Sequence, residues 1–132
     1  MKQIKFRGKT RNGKWVYGYA AKFAHDSVPV ILEDTENGIS PRKIIPETVC
    51  QFTGLHDKNG REIYEGDIIV SQDYSHARHY VRYIDDEAMF VAMIIGSSLM
   101  EYCAIRQSWI DKYDKKIIGN IYDDPELVGK IN

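Results

Sequence analysis

Only two of the 132 residues are cysteine, Cys50 and Cys103, too few for the disulfide framework that holds small secreted domains together. Both sit in apolar, strand-like surroundings (Val49-Cys50 and Tyr102-Cys103-Ala104), so buried free thiols acting as small hydrophobes are expected. No apolar run approaches the ~20 residues of a membrane helix; the longest, residues 88–95, has the length of a strand. The charged opening Met1-Lys2-Gln3-Ile4-Lys5-Phe6-Arg7 has no apolar stretch behind it, so no signal peptide is read. The expected location is the cytoplasm, without a membrane partner. Acidic residues are missing from residues 1–22, which hold Lys2, Lys5, Arg7, Lys9, Arg11, Lys14 and Lys22. With a net charge of −1, the rest of the chain is therefore acidic, most densely at Asp85-Asp86-Glu87 and Asp123-Asp124. Such asymmetry fits an anionic partner or the association of unlike surfaces.

What is present is ordinary globular composition, 43% apolar and 28% charged, which excludes wholesale disorder. The length suits one small domain, read here as two β units, residues 1–52 and 53–132. Three Asn-Gly pairs, Asn12-Gly13, Asn37-Gly38 and Asn59-Gly60, mark turns, because both residues tolerate positive φ. Around the first, residues 4–10 and 14–22 read as a hairpin. A two-residue turn at Asn12-Gly13 would pair Phe6 with Tyr19, Gly8 with Tyr17 and Thr10 with Trp15. That register puts Phe6, Trp15, Tyr17 and Tyr19 on an aromatic face. It puts Lys5, Arg7, Lys9, Arg11 and Lys14 on a basic one.

Further strands are expected at residues 28–32, 48–53, 68–71, 79–84, 88–95, 99–106 and 116–122. A polar loop is expected around residues 37–41, a short helical turn at 108–114, and a helix start at Asp124-Pro125-Glu126. Short strands at this spacing, with little helix, predict a mainly β fold, a small barrel or sandwich.

Chemistry-bearing constellations are sparse. Asp73, His76 and His79 would share a helical face, but strands are expected on either side, and turn or surface roles fit better than a metal site. Asp85-Asp86-Glu87 reads as a hairpin tip rather than a cation site. No glycine-rich phosphate loop, nucleophile elbow or activated cysteine is found. Neither an enzyme nor a cofactor is expected.

The segment Gln51-Phe52-Thr53-Gly54-Leu55-His56-Asp57-Lys58-Asn59-Gly60-Arg61-Glu62-Ile63-Tyr64-Glu65-Gly66-Asp67-Ile68-Ile69-Val70 resembles the signature of the YopX-like proteins, small proteins of phages and prophages. The opening Ile4-Lys5-Phe6-Arg7-Gly8 with Gly13-Lys14-Trp15-Val16-Tyr17-Gly18, and the ending Ile118-Gly119-Asn120-Ile121-Tyr122-Asp123-Asp124-Pro125-Glu126-Leu127, fit it too. The resemblance implies an SH3-like barrel in the second half after a smaller N-terminal β unit, and it carries over no catalytic residue. The signature itself is glycines for unusual backbone and aliphatics for core.

The expected function is thus a noncatalytic phage or prophage accessory module that binds a macromolecule. Nucleic acid held by the basic ribbon of Lys5, Arg7, Lys9, Arg11 and Lys14 leads. A self-assembling structural or interaction module, a homo-oligomer using Phe6, Trp15, Tyr17 and Tyr19, is the alternative, and an enzyme without a recognisable motif comes third.

Overall fold

The computed structural model describes residues 3–22, 28–73, 77–97 and 101–129. The chain is mainly β, and it divides into two compact units, Met1–Phe52 and Thr53–Asn132.

The first unit is one antiparallel sheet. Its strands are β1 (Phe6–Lys9), β2 (Trp15–Ala21), β3 (Val30–Thr35), β4 (Gly38–Lys43) and the start of β5 (Cys50–His56), in spatial order β4-β3-β2-β1-β5. The turn between β1 and β2 settles which side chains go where. Thr10 N–H donates to Lys14 O (2.9 Å) and Gly13 N–H donates to Thr10 O (2.9 Å), so the loop has three residues, Arg11-Asn12-Gly13, with Gly13 at φ +85°. Asn12 ties this loop internally, its side-chain oxygen facing the Thr10 hydroxyl and Lys14 N–H.

One extra loop residue shifts the register by one, and side chains alternate with period two. The observed partners are Phe6 with Gly18, Arg7 with Tyr17, Gly8 with Val16 and Lys9 with Trp15. The expected pairing of Phe6 with Tyr19 is therefore overturned, and with it the separation of aromatic from basic residues. Phe6 instead packs with Val49 against the buried trio Val16, Ile31 and Ile44. Gly8 lies tight under Ile44, whose Cδ1 would stand 2.8 Å from an added Cβ.

The Asn37-Gly38 pair does not lie in a long loop. It closes a tight hairpin in which Thr35 faces Gly38, and β4 follows where a polar loop was expected. Pro41 stands within β4, the edge strand of the sheet, where a missing N–H does least harm.

In the second unit the end of β5 pairs with β6 (Glu62–Tyr64), and a five-stranded antiparallel sheet follows. Its strands are β7 (Asp67–Ser71), β8 (His79–Ile84), β9 (Met89–Ile94), β10 (Tyr102–Ala104) and β11 (Lys115–Asn120), in the order β10-β9-β8-β7-β11. The one α-helix among the described residues, α1 (Gln107–Lys112), precedes β11. The SH3-like barrel that the resemblance implies is not seen as a closed barrel: β10 and β11 are the two ends of the five-stranded sheet.

The sheet is covered on both faces instead. Ile69, Val81 and Ile117 join Ile63 and Ile110 on one side, while Ile68, Tyr80, Val91 and Met93 gather the C-terminal Leu127 and Val128 on the other. All five residues of β7, an interior strand of the sheet, are buried. Ile68 and Val70 are inside as expected, and so is Ile69. Aliphatic residues of this size are stabilised by about 1.5–3 kcal/mol each on full burial, so this strand anchors the unit.

Candidate functional surfaces

The observed hairpin register brings together residues that the expected register separates. Arg7, Lys9, Trp15 and Tyr17 point to the same side of the ribbon, as strand partners do. The Arg7 guanidinium carbon lies 4.6 Å from the Trp15 ring centroid and the Lys9 ammonium 5.7 Å, both within cation–π range. Arg7 is buried, at 6% exposure, so it acts as a support beneath the indole and not as an exposed phosphate contact.

Lys5 and Lys9 are half-buried, whereas Arg11 and Lys14, at the turn, are exposed. Tyr17 and Tyr19 stand out on the outer face, 42% and 62% exposed. Phe6 leaves the candidate interface for the core. The result is a row of aromatic rings with cations among them, on a strand pair whose sequence lacks any carboxylate.

The second unit holds a cluster that sequence reasoning missed. Lys115 is 1% exposed, and its ammonium lies 4.6 Å from the Trp109 ring centroid and 5.7 Å from that of Tyr113. Edge-on to the same indole is His79, with centroids 5.2 Å apart at 89°. Burial holds the Lys115 amine below the ordinary lysine range, with Cys103 and Asp73 opposing that shift. Burial likewise pushes the Cys103 thiol up, partly offset by the Lys115 charge. The sequence carried only the helical part of the cluster, Trp109 and Tyr113 four residues apart, which a helix brings to one side; Lys115 and His79 come to it through the fold.

The depressed lysine carries a pH signature. The unfolded chain binds more protons than the folded one between the folded and unfolded pKa values, so stability rises with pH through that window. Lys115→Met keeps the stem and removes the buried charge. It should stabilise the protein at neutral pH, by a margin that shrinks as pH rises toward the ordinary lysine range. Denaturant titrations at neutral and high pH measure this; a margin independent of pH would refute it.

Of the three residues set aside above as a metal set, Asp73 follows β7, His79 opens β8 facing Trp109, and His76 lies outside the described residues. Asp85-Asp86-Glu87 forms a 3-10 turn at the tip of the β8–β9 hairpin.

The polar residues of the long central motif do structural work. The buried Asp57 carboxylate accepts from the backbone N–H groups of Asn59 and Arg61 (2.9 Å each) and of Ile117 (3.0 Å). Asp67 accepts from Tyr64 N–H at 2.8 Å, and Gly66, at φ +85°, bonds through its own backbone to Val81 and Ile121. Near the C-terminus, Asp124 accepts from Asn120 N–H (3.1 Å), and the Asn120 side-chain oxygen accepts from Tyr122 and Asp123 N–H.

A small, mainly β protein of two units, with motifs that brace turns, is the class these features define. The family model for the YopX protein matches residues 5–129, and the chain belongs to that family. A solved structure, protein EF1440 from Enterococcus faecalis, is similar at 26% identity with a TM-score of 0.64, over 97% of this chain and 99% of that one. No curated protein sequence matches.

Proposed function

We propose that this protein is a noncatalytic binding module whose N-terminal sheet takes single-stranded nucleic acid. One observation carries the reading: Lys9, Trp15, Tyr17 and Tyr19 share the outer face of one sheet, in a segment with no acidic residue. Single-strand binding needs aromatic rings for bases and cations for phosphates, side by side. Tyr17 and Tyr19 offer the stacking surface. Lys9, with Arg11 and Lys14 at the exposed turn, supplies the positive charge. Duplex DNA is the weaker candidate, because flat rings have no base faces to meet inside a duplex.

The test is a titration of labelled oligo-dT and oligo-U against the purified protein at two salt concentrations. Binding should be nearly indifferent to sequence and should fall with salt by about 0.7 log units per log unit of salt for each phosphate neutralised. Tyr17→Ala with Tyr19→Ala should weaken it by about tenfold or more, since each stacked base is worth about 1–3 kcal/mol. Unchanged affinity in that pair, or no binding by the wild type at low salt, would end the reading.

The exposed tyrosines also favour a second reading, self-association that buries the same rings. Light scattering on the same samples decides it. A monomer at high concentration excludes assembly, whereas a dimer that the tyrosine substitutions dissolve would replace the nucleic-acid reading.

A further inference from the structure

We propose a second ligand site, in the C-terminal unit, that takes a nucleoside phosphate. A surface cleft of about 440 Å3 is bordered by Cys103, Arg106, Ser108, Trp109, Lys112 and Tyr113, a volume typical of small-molecule sites. Its chemistry has two halves. Trp109 and Tyr113 give flat rings, both half-buried and therefore partly open to the cleft. Arg106 and Lys112 are exposed beside them, the Lys112 ammonium 5.3 Å from the Tyr113 ring centroid, and among the described residues neither has an ion-pair partner.

The rings are also preorganised. Trp109 is fixed by the Lys115 ammonium over its face and by the edge-on His79 ring, so a ligand need not order it on arrival. Lys115 itself does not border the cleft. Flat rings alone would suit any apolar ligand, and cations alone any anion. A flat ring joined to a phosphate satisfies both, its base against Trp109 and Tyr113 and its phosphate between Arg106 and Lys112. The proposal is independent of the N-terminal surface, because Trp15 reports on one site and Trp109 on the other.

The experiment follows the two indole N–H resonances of the 15N-labelled full-length protein, assigned with Trp15→Phe. The probes are adenosine monophosphate, adenosine, ribose 5-phosphate and a short oligonucleotide. Adenosine monophosphate should shift Trp109 saturably, and adenosine and ribose 5-phosphate should each bind about tenfold or more weakly, having lost one half of the recognition. Arg106→Gln and Lys112→Gln should each weaken the monophosphate about tenfold without disturbing the rest of the spectrum, since both side chains are exposed. A stronger Trp109 response to the oligonucleotide would identify a nucleotide within a strand as the natural ligand. No response to it, with the monophosphate bound, would identify a free nucleotide. A Trp109 resonance unmoved by both would overturn the site, whether or not Trp15 moves. Equal binding of ribose 5-phosphate and adenosine monophosphate would overturn it as well, by reducing the cleft to an anion patch.

Discussion

Asp57→Ala should destabilise the protein by about 3 kcal/mol, the sum expected when a buried acceptor of several charge-assisted hydrogen bonds is deleted. The carboxylate is 4% exposed and holds three backbone donors. Asn59 and Arg61 are exposed and regain much of their loss from water. Ile117 is buried in β11, and its N–H would be left without a partner in the core, which is the expensive part. Asp57→Asn should be nearly as harmful, because its amide can offer one oxygen but sets an NH2 group against a donor at the other position. Urea denaturation of the full-length variants measures both. An Asp57→Ala loss below about 1 kcal/mol would show that water replaces the carboxylate at Ile117.

Gly18→Ala should have an effect of similar size in the other unit. β2 pairs with β1 through residues 15–18 and with β3 through residues 19–21, so Gly18 lies where the strand changes partners. A Cβ there would fall 2.0 Å from the Leu32 carbonyl oxygen and 2.8 Å from its carbon. Backbone of a paired strand, unlike the tip of a side chain, cannot swing aside. Either β3 moves away or the pairing opens, a loss of about 3 kcal/mol at the upper end of overpacking effects. Gly13→Ala is the control, since an added Cβ meets nothing within 4 Å there and only the positive φ resists it, at about 1 kcal/mol. Equal losses at the two positions would mean that crowding at Gly18 is relieved by small shifts.

Much of the fold was legible because strands announce themselves by alternation and turns by Asn-Gly. The strands expected at 79–84 and 116–122 lie within a residue or two of β8 and β11, and the helical turn expected at 108–114 is α1. What the dipeptide could not convey is its position within the turn. Asn12-Gly13 and Asn59-Gly60 each end a three-residue loop, with the matching bonds Gly13 N–H to Thr10 O and Gly60 N–H to Asp57 O. Asn37-Gly38 straddles the end of a two-residue loop. One residue of difference inverted the faces of the first hairpin, which turned a supposed basic surface into a mixed one.

β4 is not legible in the sequence because Pro41 argues against a strand unless that strand is known to be an edge, which only topology reveals. The cleft beside α1 is not legible for another reason. Its buried partner Lys115 looks in sequence like any solvated lysine, and only the folded sheet carries it under Trp109.

The double covering of the C-terminal sheet bears on how that unit finds its arrangement as it folds. A strand with one wet face is proofread by water, since a slip of one position would expose its apolar set. β7 has no such check: Ile68, Ile69 and Val70 could exchange places with little change in buried area. Discrimination falls to the polar fastenings at its ends and beside it, the Asp67 carboxylate on Tyr64 N–H and the irregularity between Ile117 and Gly119 in the neighbouring strand. Misaligned pairings of nearly equal hydrophobic content are the natural kinetic traps of such a sheet. The short polar motifs around β7 then serve as its proofreading during assembly, a task that outlasts no single encounter with a ligand but precedes them all.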